Sequence, residues 1–351
     1  MNKLALKIAP LALASLLAGC GGKPAQEQAE APAPGYRLYV TNEIGGTVTV
    51  IDEPSHTVVA TVQLGKRPRG MQATADGRQI FVALSGSPIS GPGVDEDKLP
   101  PKDPAADGIG VLNTVSLKLA RILKGISNPE QLALVQGRIY SASEETELLS
   151  VLDAASGSVL GTVPTGEEPE GVAVSADGKT AYVTVEGDDT VAVIDTAKKA
   201  VIKRIKVGDR PRSMTLAPDG AHAYVTDENG ATLTEIDTKT LAVTRTVPVP
   251  GEGARPMGVV VSPDNKRIYV TTGRGGQLVA FDAATLALQK AVAVGDRPWG
   301  VAVSPDGKLI YTANGQSDDV SIVDATTMTV ITRLKSVGRP WGVVVAPKCC
   351  G

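Results

Sequence analysis

The sequence predicts an all-β fold, a seven-bladed β-propeller built from four-stranded antiparallel blades. The main observation is an aromatic-led strand that returns seven times along the 351 residues. Successive copies are 42, 59, 42, 42, 45 and 42 residues apart. Such a period is typical of radial arrays in which each repeat forms one blade. The copies begin at Tyr39, Phe81, Tyr140, Tyr182, Tyr224, Tyr269 and Tyr311.

Each period has the same order of turns and strands. A Gly-x-Arg-Pro turn, whose proline pre-sets the start of a strand, precedes an apolar segment such as the one from Gly300. A Pro-Asp-Gly turn then leads to the Tyr strand, and a third strand ends in Ile-Asp. A fourth strand, such as the one from Val201, alternates apolar and polar residues. The continuous apolar strand suits a buried inner position and the alternating strand a half-exposed outer one.

The two ends of the repeat array predict how the ring closes. The first copy begins with its Tyr strand and lacks an apolar inner strand, whereas the chain finishes with a surplus inner strand from Trp341. We therefore expect the C-terminal strand to complete the N-terminal blade, which leaves the ring without open sheet edges.

The N-terminal segment predicts export and lipid anchoring. Residues 1–19 place two lysines before an apolar run too short to span a bilayer, as in a signal peptide. Residues 17–20, Leu-Ala-Gly-Cys, resemble the bacterial lipobox, which implies lipidation at Cys20; the alternative is an ordinary secretory signal with a chance cysteine. Residues 20–35 are expected to form a flexible tether. Gly21 favours the outer membrane, on its periplasmic face or at the cell surface.

The remaining composition limits the classes of function. Residues 36–347 are predicted to form the propeller and residues 348–351 a short tail. Only Cys349 and Cys350 follow the predicted lipidation site, so the domain has no disulfide framework and depends on its core. A net charge of −3 gives no global attraction to nucleic acid.

The repeated Tyr-Val-Thr-Asn motif, as at Tyr39, is similar to that of the YVTN repeat family of bacterial and archaeal surface propellers over residues 36–347. This resemblance implies a propeller that binds or sits at the cell surface, and fold alone does not fix its function. Residues 83–110 and 128–131 resemble propellers associated with pyrroloquinoline-quinone-dependent catabolism. That second resemblance implies an accessory role, because the quinone-dependent dehydrogenases have eight blades with a tryptophan in each and this chain has two tryptophans.

One face of the ring is expected to hold a binding site, because the turn before each inner strand and the loop after each Tyr strand lie on the same face. Those turns supply Arg67, Arg210, Arg255, Arg297 and Arg339, with Asn128 and Glu168 at the equivalent places. Two positions further on, nearest the channel, come Arg69, Glu130, Glu170, Arg212, Met257, Trp299 and Trp341. This combination suits a small anionic ligand with an apolar or cationic part. Alternatively, the arginines tie blades together by pairing with loop carboxylates such as Glu228 or Asp318.

A long insertion, residues 86–107, is expected on the same face. Its carboxylates Asp95, Glu96 and Asp97 are candidate Ca²⁺ ligands, although they lack EF-hand spacing and a solvated acidic loop is the alternative.

The sequence favours binding over catalysis, and no catalytic residue is assigned. The only histidines, His56 and His222, are expected away from the binding face, and no haem-attachment or nucleophile-elbow motif is present. The leading hypothesis is a monomeric, membrane-anchored scaffold for a small anionic ligand or an envelope protein, accessory to quinone-dependent periplasmic oxidation. No cofactor is assigned; Ca²⁺ and pyrroloquinoline quinone are candidates. The alternatives are a metal-assisted hydrolase or lyase that uses glutamates of the binding face, and a single-stranded nucleic-acid binder.

Overall fold

The computed structural model describes residues 35–89, 98–336 and 338–348. Their strands form seven four-stranded antiparallel sheets, so the predicted seven-bladed propeller is confirmed. Several predictions lie outside the described residues: the signal peptide, the lipidated Cys20 and its tether, the candidate metal ligands Asp95, Glu96 and Asp97, and the tail with Cys349 and Cys350.

Blade 1 joins the two ends of the propeller. Its strands are β28 (Pro340–Pro347) on the inside, then β1 (Tyr36–Asn42), β2 (Thr47–Glu53) and β3 (Thr57–Gln63). The pairing of β1 with β28 is antiparallel and places Tyr36 opposite Pro347 and Asn42 opposite Pro340. The predicted closure by the C-terminal strand is therefore confirmed.

The other six blades are continuous in sequence and run from the inner to the outer strand. Blade 2 comprises β4 (Pro68–Ala73), β5 (Gln79–Leu84), β6 (Gly108–Asn113) and β7 (Lys118–Leu123). Blade 3 comprises β8 (Pro129–Val135), β9 (Arg138–Ser143), β10 (Leu148–Asp153) and β11 (Val159–Pro164). Blade 4 comprises β12 (Pro169–Val174), β13 (Thr180–Val185), β14 (Thr190–Asp195) and β15 (Ala200–Lys206).

Blades 5 to 7 repeat the arrangement. Blade 5 comprises β16 (Pro211–Leu216), β17 (His222–Asp227), β18 (Thr232–Asp237) and β19 (Ala242–Pro248). Blade 6 comprises β20 (Val259–Val261), β21 (Arg267–Thr271), β22 (Gln277–Asp282) and β23 (Leu288–Ala293). Blade 7 comprises β24 (Pro298–Val303), β25 (Leu309–Asn314), β26 (Asp319–Asp324) and β27 (Thr329–Lys335).

The core lies between adjacent blades and is built around the repeated aromatic residues. All seven are at most 3% exposed. Tyr182 of blade 4, for example, packs against Met214, Val225 and Ile236 of blade 5. Each buried ring contributes about 2–3 kcal/mol by leaving water. The aromatic repeat therefore holds the ring together because it supplies every interface between neighbouring blades.

The outer strands are largely exposed, as their alternating pattern predicts; on β15, Ile202 faces solvent. Within the ranges that the structure describes, no helix is long and apolar enough to cross a membrane.

Blade 6 departs from the expected repeat. The inner strands of the other blades start at the proline of their turn, whereas β20 starts at Val259 rather than at Pro256. The expectation that every Arg-Pro turn leads directly into its strand is therefore wrong for this blade. The period from Tyr224 to Tyr269 is three residues longer than the usual 42, and the extra length falls in the glycine-rich segment 250–254, which displaces the turn.

Candidate functional site

The mouth of the channel is built by the turns that precede the inner strands. In six blades the residue before the proline has a left-handed backbone, with φ between +39° and +63°. Non-glycine residues rarely adopt this conformation, so the same turn geometry is imposed six times. The six side chains line one cavity at the mouth: Arg67, Asn128, Glu168, Arg210, Arg297 and Arg339.

Arg255, the equivalent residue of blade 6, does not join them. Its backbone is not left-handed, because the longer turn of that blade reaches the strand differently. Its guanidinium donates to the Asn229 side chain on the neighbouring loop, outside the lining of the mouth cavity. The sequence-based grouping of Arg255 with the other arginines is therefore not reproduced in the structure.

A second ring of residues lies two positions after the turn residue of each blade, and we call it the throat: Arg69, Glu130, Glu170, Arg212, Met257, Trp299 and Trp341. The threonine of the Tyr-Val-Thr motif holds the backbone of the throat residue in the next blade. Thr226 donates to the carbonyl of Met257 at 2.7 Å, and Thr271 donates to that of Trp299 at 2.7 Å. Glycine must follow Met257, because a Cβ on Gly258 would lie 2.4 Å from the Trp299 carbonyl oxygen.

Blades 2 to 5 form the ionic half of the throat. Arg69 donates to the buried carboxylate of Glu130, and the Arg212 Nη1 lies 3.0 Å from the Glu170 carboxylate. Burial raises the pKa of Glu170 to about 8 against the opposing charge of Arg212, and burial lowers the pKa of Arg69 to about 10. Each arginine of this half of the throat therefore has a buried carboxyl group beside it.

Blades 6, 7 and 1 form the apolar half of the throat, with Met257 and both tryptophans of the chain. The Trp299 and Trp341 rings meet edge to face, 5.5 Å apart at 86°. Trp341 is only 6% exposed and lines the channel below the mouth, whereas Trp299 also lines the mouth cavity. Neither indole Nε1 has a hydrogen-bond partner among the described residues.

The residue that follows each Tyr strand forms an outer ring of the mouth face. It lies four positions after the repeated aromatic residue: Glu43, Ser85, Glu144, Glu186, Glu228, Gly273 and Gly315. Sequence reasoning named only Glu228 of this set. The fixed offset from the aromatic residue is a signal that reveals the other three glutamates.

Two of the outer-ring glutamates form ion pairs with the turn of the next blade. Glu43 of blade 1 lies 3.1 Å from Arg67 of blade 2, and Glu186 of blade 4 lies 2.8 Å from Arg210 of blade 5. Arg210 also approaches Glu228 at 3.5 Å. Arg67 and Arg210 therefore tie neighbouring blades, as the alternative interpretation proposed.

Between blades 2 and 3 a neutral pair replaces the ion pair, since the Ser85 hydroxyl lies 2.5 Å from the Asn128 side-chain oxygen. Asp318, the other suggested partner, accepts the backbone N–H of Arg339 at 2.7 Å.

Among the described residues no such pair forms at the other four junctions. Blade 3 supplies Glu144 against a turn that carries Glu168, and Arg255 of blade 6 contacts Asn229 rather than Glu228.

Where blade 6 meets blade 7 and where blade 7 meets blade 1, Gly273 and Gly315 take the place of the glutamate. The guanidinium carbons of Arg297 and Arg339 lie 5.1 and 5.7 Å from the Trp299 ring. Among the described residues Arg297 forms no ion pair, and Arg339 reaches Glu43 at 3.6 Å. We call Arg297, Trp299 and Arg339, with the two glycines, the open sector.

Electrostatics set the open sector apart from the rest of the mouth. Burial, followed by the charges of Arg339 and Arg274, lowers the pKa of Arg297. Arg297 and Arg339 are therefore only partly compensated, by Glu43 at 3.6 Å from Arg339 and by the charge of Glu228 near Arg297, whereas Arg67 and Arg210 have close carboxylates.

The described ends of the long insertion line one side of the mouth. Arg67 donates to the carbonyls of Ser87 and Pro88 at 2.8 and 2.9 Å, and the Lys102 ammonium lies 2.7 Å from Glu145. These contacts hold the described ends of the insertion against blades 2 and 3. The resulting cavity has a volume of about 610 Å³, a size typical of small-molecule sites.

Not every predicted site residue lines this cavity. Arg67, Arg69, Glu168, Glu170, Arg210, Arg212, Arg297, Trp299 and Arg339 do, together with the unforeseen Glu43, Glu144 and Glu145. Glu130 is fully buried beneath Arg69, Trp341 faces the channel, and Arg255 lies outside the cavity lining. Ligand binding by any of these residues stays a prediction.

The two histidines of the chain lie away from the mouth, whereas glutamates such as Glu168 and Glu170 line it. His56 pairs with buried Glu53 in the turn after β2, and His222 begins β17 near Glu235, so both lie at the opposite face. No cluster of three metal-ligating side chains occurs in the described part of the chain.

Residues 119–304 match the model of the YNCE-like β-propeller family. The chain belongs to this family. No curated protein matches it at a significant level.

Solved structures share the fold of this YNCE-like propeller. Hydrazine synthase of Kuenenia stuttgartiensis is 19% identical, with a TM-score of 0.67, over 90% of this chain and 100% of that chain. A candidate 6-phosphogluconolactonase from Bacteroides fragilis NCTC 9343 is 16% identical, with a TM-score of 0.74, over 91% and 100%. A protein of unknown function from Desulfotomaculum acetoxidans is 14% identical, with a TM-score of 0.72, over 89% and 99%. At these identities the likeness is one of fold alone.

Proposed function

We propose that this propeller is a binding module that holds a soluble anionic ligand in its mouth, against the open sector. The observation that carries the proposal is the break in the blade-to-blade pairing. Arg67 and Arg210 each have a carboxylate from the preceding blade, whereas Arg297 and Arg339 face a shared indole across a cavity. Guanidinium groups held against an aromatic ring keep their N–H donors free for a carboxylate or phosphate.

The indole and the apolar wall of the insertion favour a ligand that also carries a flat or apolar part. Trp299 lies at the base of the cavity, and Pro88, Ile89 and Leu99 line it from the insertion. Pyrroloquinoline quinone, a planar tricarboxylate, has this chemistry, so a role beside quinone-dependent oxidation belongs to the proposal. A lactone or sugar acid is the second candidate class. It is suggested by the fold shared with a candidate 6-phosphogluconolactonase.

The module is proposed to act at the cell envelope, anchored through Cys20. The support is the sequence alone: two lysines, a short apolar run and Leu-Ala-Gly-Cys at residues 17–20. A single acyl chain binds membranes weakly, so stable attachment requires the several chains that this motif implies. Membrane fractionation tests the anchor, since Cys20→Ala should release the chain into the soluble fraction. Retention of that variant on membranes would remove the anchor from the proposal.

The tryptophans make the binding test direct, because both lie in the apolar half of the throat and no other tryptophan contributes to the fluorescence. The full chain in mild detergent is titrated with pyrroloquinoline quinone, sugar acids, lactones, divalent ions and a short single-stranded oligonucleotide. We expect an anionic compound to change the emission, and Arg297→Gln to weaken its binding at least tenfold, or about 1.4 kcal/mol.

Arg255→Gln is the matched control, since Arg255 belongs to the same repeat position and lies outside the cavity lining. It should change the affinity less than about twofold. No response to any compound, or equal losses in the two variants, contradicts a ligand site in the open sector. Binding of the oligonucleotide alone, with a steep salt dependence, would instead favour single-stranded nucleic acid.

A further inference from the structure

Other blades show which group stands beside the turn arginine where the open sector has none. At the junction of blades 1 and 2, one glutamate from the outer ring occupies the space beside Arg67. At the junction of blades 4 and 5, Glu186 does the same for Arg210 and also contacts Arg212 at 2.5 Å. The chain thus shows twice how its own turn geometry binds a carboxylate.

The open sector has two such places without their carboxylate. Gly273 and Gly315 occupy the outer ring before Arg297 and Arg339. At Gly315 the backbone points the right way, because an added Cβ would lie 3.6 Å from the Cγ of Arg339. A side chain there would extend toward the arginine, as Glu43 extends toward Arg67.

The charges around the open sector indicate how much negative charge a ligand would need to carry. Around the junctions of blades 7, 1 and 2, Arg67 is matched by Glu43 and Arg69 by Glu130. Arg297 has no matching carboxylate among the described residues, and Arg339 has only a share of Glu43 at 3.6 Å. Two guanidinium groups therefore lie beside the Trp299 ring with only the shared Glu43 as an ion-pair partner. Each lowers the stability of the other, in keeping with the lowered pKa of Arg297.

We propose that the open sector binds a dianion, a phosphate monoester or a dicarboxylate, whose charges take the places of the two glutamates that the repeat lacks at Gly273 and Gly315. This inference rests on the proposed binding function and specifies the ligand class of the same site. A monocarboxylate neutralises only one of the two arginines and leaves the other charge uncompensated.

The test restores one missing carboxylate from within the chain. Gly315→Glu is suited to this, since its Cβ would meet nothing closer than the Pro340 carbonyl oxygen at 3.2 Å and its φ is not in the left-handed region. Gly273 is unsuited, because its φ is +51° and a Cβ would lie 2.6 Å from the Arg255 carbonyl oxygen. Gly315→Gln adds the same volume without the charge, so the difference between the two variants isolates the charge.

Inorganic phosphate and succinate are titrated into the full chain, followed by tryptophan fluorescence, with acetate as the monoanion. We expect both dianions to bind at least about tenfold more tightly than acetate. Gly315→Glu should weaken the dianions at least about tenfold relative to Gly315→Gln, because the new carboxylate occupies Arg339. The two arms also separate a phosphate-selective site from one that accepts any dianion.

Three results overturn the inference: acetate binding as tightly as the dianions, equal affinities in the two Gly315 variants, or no response to either dianion. Its failure differs from that of the proposed function. If a compound from the wider panel binds through Arg297 while Gly315→Glu leaves its affinity unchanged, the binding function stands and the dianion inference falls.

Discussion

The junction of blades 4 and 5 and the junctions on either side of blade 7 use the same turn to opposite ends. At the first, Arg210 and Arg212 are held by Glu186, which is 3% exposed, and by Glu170, which is 2% exposed. At the others, Arg297 and Arg339 occupy the same repeat position and meet an indole and a cavity instead. In a repeat protein, a position that lacks the partner supplied at equivalent positions is therefore a reasonable place to test for a binding site.

The largest change in stability is expected when an ion pair at the junction of blades 4 and 5 is removed. Glu186→Gln leaves the two arginines at the junction of blades 4 and 5 short of a buried carboxylate, which costs about 3 kcal/mol. Arg339→Gln on the open side should cost less than about 1 kcal/mol, because its ion pair is long and shared. Guanidinium chloride unfolding of both variants measures the contrast. Equal losses would show that the two junctions are energetically alike.

The second prediction concerns Asp227, the last residue of β17, which directly precedes Glu228 of the outer ring. Burial raises the pKa of Asp227 to about 6, despite hydrogen bonds from Thr232 and Thr234 at 2.7 Å. Because the folded state holds this proton more tightly than the unfolded state, stability should fall as the pH rises from about 4 to 6 and then level off.

Asp227→Asn should remove this pH dependence. At pH 7 it should raise the free energy of unfolding by about 1–2 kcal/mol. The replacement has a precedent within the chain, since Asn42 in blade 1 donates to Thr47 and Thr49 at 3.0 and 2.9 Å. Unfolding at pH 4.5 and 7 is measured for the unsubstituted chain and for Asp227→Asn. A pH profile that is unchanged by the substitution would show that Asp227 is ionised throughout this range.

The sequence was sufficient for the fold because its signals are local and repeated. The period of the aromatic strand fixed the number of blades, and the surplus strand from Trp341 indicated the closure. The ring of throat residues, including both tryptophans, followed from a constant offset after each turn. The prediction was wrong for blade 6, because segment 250–254 changes the path of the chain and takes Arg255 away from the mouth cavity.

The pairing of charges was less accessible from the sequence. Glu43 and Arg67 belong to adjacent blades, so their distance depends on how the blades pack in the ring rather than on the sequence of either repeat. The burial of Glu130 beneath Arg69 depends on the same packing. Once the outer ring is known, however, Gly273 and Gly315 can be recognised in the sequence as the two positions of that ring without a side chain.

The smallest expected effect is a difference in how iodide and caesium quench tryptophan fluorescence, and it can be measured without any ligand. Iodide and caesium quench tryptophan fluorescence on contact, and a positive environment concentrates the anion and repels the cation. Trp299 is the more exposed of the two tryptophans and lies beneath Arg297 and Arg339. We therefore expect the iodide quenching constant to exceed that of caesium by about twofold at low ionic strength, and the difference to shrink at high salt.

Arg339→Gln should reduce the ratio of the two quenching constants and Arg255→Gln should not, because Arg255 lies outside the cavity lining. Equal quenching by the two ions would mean that Glu43 and the other mouth carboxylates already neutralise the open sector, and the contrast between the junctions would then be one of shape and not of charge.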